Sequence, residues 1–302
     1  MKNSNRIISY RSGTEGMDTV TYFFEASNEV VAFDAQLSPD IARRALTYLR
    51  QFTDKPITWL VITQPTPDKF NGSSIFQEAG AKILCSVSTT KHFPEIHSHK
   101  EFYFKNTTTL FRKKAYPKPP IPNLEFSDSY LLTLSGNEEV YLRSINRPAA
   151  AACHTVAHIP SLNSLITGDI IHHKAHCWLE GGLKAGHFDP DIESWITILN
   201  DISQRYPLST IAYGGRGRNT NLKDAVEEQT NYLRKSLEII QSEIRKLGFN
   251  AKEFLGPNSE EMYKDLATKF QLHFPEHELP YLIEGGTYSL VEKILHSQRQ
   301  YQ

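Results

Sequence analysis

Long apolar runs are missing from this 302-residue chain. No stretch of about 18 uncharged apolar residues occurs, which excludes a helix that crosses a bilayer. Cysteine is scarce: Cys85, Cys153 and Cys177 are the only three, and they stand far apart. That spacing excludes a disulfide framework and fits a reducing compartment. The N-terminal MKNSNRIISYRSG lacks the apolar core of a secretory signal, so a cytoplasmic location is expected. Neither sign of charge dominates, with 33 basic against 34 acidic residues and a net charge of −1. Without a global field, nucleic acid and anionic membrane are not expected partners. No fixed-period repeat and no low-complexity tract is present. What remains is ordinary globular composition, 39% hydrophobic and 22% charged, long enough for one large α/β domain or two small ones.

The first third alternates sheet and helix. Val20–Glu25 and Val30–Asp34 flank the Ser27-Asn28 turn as a hairpin. Ser38-Pro39-Asp40 is a helix start, with Ser38 as cap and Pro39 at the first helical position. Ile41, Ala45, Leu46 and Leu49 then recur at helical spacing. Strands are expected at Trp59–Ile62 and Lys82–Cys85, with a short helix after Ser73. Residues 92–123 are aromatic, basic and proline-rich, and read as an insertion or lid rather than a regular element; Lys113, Lys114 and Lys118 form a solvated edge. Further strands are expected at Ser129–Leu134, Glu139–Ser144, Cys153–Ile159, Ser164–Thr167 and Thr210–Tyr213. Asp189-Pro190 is taken as the cap of a helix running to about Tyr206. Long C-terminal helices follow, the first from about Leu222 to Leu247 with Gly248 as its stop. By topology alone, a four-layer αββα sandwich and a doubly wound sheet both fit.

The loop after the third strand is the most informative segment. It reads Thr63, Gln64, Pro65, Thr66, Pro67, Asp68, Lys69, Phe70, Asn71, Gly72. Its frame resembles the T-H-x-H-x-D-H metal loop and following N-G turn of the metallo-β-lactamase superfamily. Three further segments are similar to that superfamily in order. VAFDAQ places Asp34 at the end of a strand, SLITGD places Asp169 at the metal-bridging aspartate, and YGGRG, Tyr213 to Gly217, matches the final P-G-H-G loop. The resemblance covers roughly residues 18–220 and extends weakly into the C-terminal helices, where Glu193, Trp195 and Leu199 match a D-W-x-x-x-L helix. It implies an αββα metallo-β-lactamase-like domain over 1–220, with 92–123 as insertion or lid, and a C-terminal helical extension over 221–302 packed on the same domain.

Departures from the pattern fall on the ligands. The three histidine positions of the first loop hold Gln64, Thr66 and Lys69; a fourth falls near Ala150 in the run Pro148–Ala152; the last is Arg216. Of seven implied ligands only Asp68 and Asp169 remain. Zinc needs imidazole, thiolate or carboxylate donors, and a lysine ammonium has no lone pair. No metal and no other cofactor is therefore expected.

Two anions and two new cations suggest charge balance without metal, with Lys69 and Arg216 pairing Asp68 and Asp169. Three chemistries stay open. The leading one is a degenerate family member that binds a small molecule, an anion among the candidates, or a protein, with Gln64, Thr66, Arg216 and Arg218 as binding residues. A second is a hydrolase with one Zn or Fe ion rebuilt on Asp169 and His176, drawn from the group His154, His158, His172, His173, His176 and His187. A third is metal-free acid/base catalysis by Asp68, Lys69, Asp169, His176 and Tyr213. The proline-rich segment 115–123 and the C-terminal helices are candidate homodimer surfaces.

Overall fold

The computed structural model describes residues 5–107, 111, 114–257 and 259–299. Two compact units make up the chain. The first is Met1–Asn146 with Cys153–Gly168; the second is Arg147–Ala152 with Asp169–Gln302.

The first unit is built on two sheets. Strands β1 (Arg6–Arg11), β2 (Val20–Glu25), β3 (Val30–Phe33), β4 (Ile57–Val61), β5 (Lys82–Ser86) and β6 (Leu124–Phe126) lie in sequence order in one of them. Pairing is antiparallel through β3 and parallel from β3 to β6. β2 and β3 are buried at every position, as strands covered on both faces must be. The second sheet carries β7 (Ser129–Thr133), β8 (Glu139–Ile145), β9 (His154–Ile159) and β10 (Ser164–Gly168), each antiparallel to the next. One hydrogen bond, Thr155 N–H to the Thr63 carbonyl at 2.6 Å, ties β9 to the chain leaving β4.

Among the described residues, four α-helices connect these strands. α1 (Pro39–Leu49) begins as expected: the Ser38 hydroxyl accepts from the Ile41 N–H and Pro39 opens the first turn. α2 (Pro67–Phe70) and α3 (Ser73–Glu78) follow the informative loop directly. α4 (Val87–Thr107) corrects the sequence expectation, because much of the segment read as irregular is a 21-residue helix with Pro94 inside it. Buried Phe93, Ile96, Lys100 and Phe104 recur at helical spacing and outweigh the proline. Phe93 meets Phe70 of α2 at 4.8 Å between ring centroids. Phe104 joins Phe111, Tyr116, Leu37 and Ile41 in one apolar cluster. Lys114 is not simply solvated; it pairs with Asp40. Lys113 lies outside the described residues.

The second unit contains two small antiparallel ladders, β11 (Gly182–Lys184) with β12 (His187–Asp189), and β13 (Ile211–Gly214) with β14 (Thr220–Asn221). Because Asp189 ends β12, it cannot cap the next helix. That role falls to Asp191, whose carboxylate accepts from the Ser194 N–H at the start of α5 (Ile192–Arg205). α6 (Leu222–Leu247) packs on α5 and is capped by Asn221, with Gly248 as the expected stop. A 3-10 segment, Gly248–Leu255, leads to α7 (Ser259–His273), α8 (Tyr281–Gly286) and α9 (Tyr288–Arg299). No helix among the described residues is long and apolar enough to cross a membrane.

Candidate functional site

In the first unit, two elements deliver carboxylates to one buried lysine. Asp34 directly follows β3, takes a left-handed conformation (φ 66°) and turns its side chain toward the end of β4. There the carboxylate accepts from both the Thr63 N–H and the Thr63 hydroxyl, each at 2.8 Å. Pro67 opens α2, and this short helix carries Asp68 and Lys69. The Lys69 ammonium lies 3.2 Å from Asp68 Oδ2 and 4.0 Å from Asp34 Oδ2, and its side chain is 0% exposed. The Thr19 hydroxyl donates to the same Asp68 oxygen at 2.8 Å. The loop is locked in place by backbone bonds as well: Ala35 N–H reaches the Lys69 carbonyl at 2.7 Å, and Gly72 N–H the Gln36 carbonyl at 3.1 Å. A Cβ at Gly72 would stand 1.9 Å from the Ala35 carbonyl oxygen, so no larger residue fits this turn. Gln64 and Thr66 bond to each other, Nε2 to Oγ1 at 3.0 Å.

In the second unit, Asp169 stands at the start of the loop before His176. Its Oδ1 is 3.0 Å from an Arg216 guanidinium nitrogen and 3.2 Å from His172 Nε2. All three side chains are buried. Gly215 makes this possible, since a Cβ there would lie 1.8 Å from the same carboxylate oxygen. Gln229 of α6 fixes the loop by accepting from the His172 N–H at 2.8 Å. Trp195 of α5 donates to the Ile170 carbonyl at 2.8 Å. Tyr213 is half-buried on β13, and Arg218 is largely exposed. In the alanine run, Ala149, Ala150 and Ala151 are all buried. The expected pairs Lys69–Asp68 and Arg216–Asp169 are both present, each within its own unit.

His176, grouped with Asp169 on sequence, is held elsewhere. Its Nδ1 meets the Tyr232 hydroxyl at 3.1 Å and its Nε2 meets Gln271 Oε1 at 3.3 Å, inside a cluster of Phe270, Phe274 and His277. Since the amide oxygen only accepts, the proton is assigned to Nε2 and Nδ1 accepts from Tyr232. Burial, reinforced by neighbouring His277, pushes the imidazole down to about 4, against the opposing pull of the Gln271 bond and Glu228. A histidine depressed in the folded state binds fewer protons than in the unfolded chain between pH 6.5 and 4. Stability should therefore fall as pH drops through that window, by about 3 kcal/mol from this residue, and be level above it. Chemical denaturation of wild type and His176→Gln at pH 7.5, 6, 5 and 4 checks this, because the variant should lose less stability across the window.

All three cysteines are buried, and burial raises each thiol above its ordinary value. His154 and His158 share β9 in the first unit, whereas His172, His173, His176 and His187 belong to the second.

Neither family models nor curated protein sequences match this chain. Solved structures do. A metallo-beta-lactamase from Pontibacter korlensis superposes with a TM-score of 0.56 at 16% identity, covering 78% of this chain and 96% of the other. The metallo-beta-lactamase FIM-1 from Pseudomonas aeruginosa, solved in its mono-zinc form, gives 0.55 at 13% identity, with 78% and 93% covered. The sec-alkyl sulfatase PisA1 gives 0.57 at 14% identity, with 76% and 40% covered. The chain has the metallo-β-lactamase fold. This is the αββα class expected from the sequence, followed by C-terminal helices.

One of these solved structures is a mono-zinc form, which raises the question of whether the residues here suit that metal. They do not. Of the seven ligand positions that the sequence resemblance implies, five fall on Gln64, Thr66, Lys69, Arg216 and the run near Ala150. The two retained carboxylates already face an ammonium and a guanidinium. A dication placed beside those cations would meet repulsion without the imidazoles that normally offset it. Among the described residues no three His, Cys, Asp or Glu side chains converge so as to hold an ion.

Proposed function

We propose that this protein is a metal-independent binder on a metallo-β-lactamase scaffold, taking a small molecule or a protein segment without hydrolysing it. The support is a single pattern seen twice. Each aspartate kept from the ligand set is buried and paired with a cation from its own unit, Asp68 with Lys69 and Asp169 with Arg216. Buried carboxylates without partners would be costly, and these have partners that no metal needs to supply. Activation of a bound water, the step on which hydrolysis in this fold depends, requires the missing ligands. An anion is the favoured ligand, because Arg218 extends from the Gly214–Gly217 loop with its side chain 63% exposed.

The test is elemental analysis of protein purified without chelator and dialysed. Well under one equivalent of zinc or iron is expected, together with no turnover of β-lactam or sulfate-ester substrates. Near-stoichiometric metal that survives dialysis would overturn the reading.

A further inference from the structure

The segment between α7 and α8, Phe274–Leu279, crosses the loop that follows Asp169. Its backbone is bonded there: the Glu278 N–H reaches the Lys174 carbonyl at 3.0 Å and the His176 N–H reaches the Glu278 carbonyl at 2.9 Å. Ala175 and Glu278 form a parallel bridge. Three consecutive side chains then diverge to three elements. Glu276 pairs with Lys174 at 2.9 Å, on the loop itself. His277 turns inward to Glu228 of α6 at 2.5 Å and stacks on Tyr232, 5.3 Å between centroids at 14°. Glu278 reaches toward Arg218 at 3.7 Å, on the loop after β13.

The burial of these pairs separates their roles. The His277 side chain is 4% exposed, so this residue is the fixed pivot. Glu276 and Glu278 are 70% and 36% exposed and act as two acidic arms. The cations they meet, Lys174 and Arg218, stand on loops that touch: the Arg218 N–H bonds to the His173 carbonyl at 2.9 Å, and Gly217 (φ 79°) lies where a Cβ would be 2.1 Å from that same oxygen. Lys174 and Arg218 are thus held at neighbouring positions by backbone, with two carboxylates laid over them. Exposed ion pairs of this kind are weak and exchange readily with a competing anion.

We propose that the Phe274–Leu279 segment is an internal competitor, an acidic strap covering a dianion site formed by Lys174 and Arg218. The ligand class is a compact molecule with two negative groups, such as a diphosphate or a dicarboxylate, which displaces Glu276 and Glu278 while His277 stays anchored. The inference rests on the preceding reading only in taking the protein to be an anion binder.

Inorganic pyrophosphate is the probe. Titration calorimetry would compare wild type, the double variant Glu276→Gln/Glu278→Gln, and that variant carrying Lys174→Gln and Arg218→Gln as well. The double variant should bind pyrophosphate about tenfold more tightly than wild type, the gain expected from removing two surface ion pairs. The quadruple variant should lose that binding. Far-ultraviolet circular dichroism confirms folding, which the intact His277–Glu228 pivot should preserve. Equal affinity of wild type and double variant overturns the proposal, as does absence of binding to both. Finding zinc in the purified protein would sink the preceding reading without altering this comparison.

Discussion

Lys69→Met is expected to destabilise the protein by about 3–5 kcal/mol, the cost of breaking a buried ion pair from one side. The side chain is wholly buried, so no water replaces the ammonium. Methionine keeps the volume and the flexible stem, which limits the cavity contribution. What remains is Asp68, with its Thr19 bond but without the Lys69 ammonium, and Asp34, 4.0 Å from the vacated position with its Thr63 bonds intact. The companion variant Lys69→Met/Asp68→Asn separates charge from packing. If the loss is electrostatic, neutralising Asp68 should recover a large part of it, and the double-mutant cycle should give a coupling of about 1–3 kcal/mol. Urea denaturation at pH 7 followed by far-ultraviolet circular dichroism measures all three. An unchanged midpoint for the single variant would remove the ion pair from the account of this site.

How much of this was legible beforehand depends on sequence distance. Asp68 and Lys69 are adjacent, and a cation where the resemblance implies a neutral histidine is visible in the letters alone. Thr19 and Thr63 are not legible as partners, because they reach Asp68 and Asp34 across 49 and 29 residues and only the closed sheet brings them near. The histidines near Asp169 show a second limit. The run His172, His173, His176 marks the region but not which ring lies toward Asp169, and the backbone turns within it, with Lys174 at φ 58°. The resemblance pointed to His176, whereas His172 lies beside the carboxylate.

The helices repeat the lesson. In α4, four buried positions at helical spacing outweighed Pro94 and the aromatic, basic composition that suggested a loop. In α6, Gln229, Tyr232 and Ser236 lie on the same stripe as Leu222, Ala225, Val226 and Leu233. Polar residues at core positions of an amphipathic helix usually have a specific partner, and here all three do: Gln229 holds His172, Tyr232 holds His176, and the Ser236 hydroxyl donates to the Tyr232 carbonyl. That pattern was the available signal for the second unit, and it identifies the helix face without naming what the face meets.

Arg216→Met is expected to cost about 3 kcal/mol at pH 7, for the same reason but with a different dependence on pH. Asp169 would keep His172 Nε2 at 3.2 Å. A buried carboxylate without its guanidinium favours the protonated form, so in the variant its folded pKa should rise above the unfolded value. A group shifted upward in this way is relieved at low pH and is most destabilising once pH exceeds the folded pKa. The gap between variant and wild type should therefore narrow as pH falls from 7 toward 4. Asp169→Asn/Arg216→Met should abolish that pH dependence, because it removes the carboxylate whose protonation sets it. Arg216→Lys should recover only part of the loss, since a point charge replaces a planar fork of donors. Denaturation curves at pH 7, 5.5 and 4 distinguish these outcomes. A gap that stays constant with pH would mean that Arg216 acts through packing against Gly215 and the loop rather than through its charge.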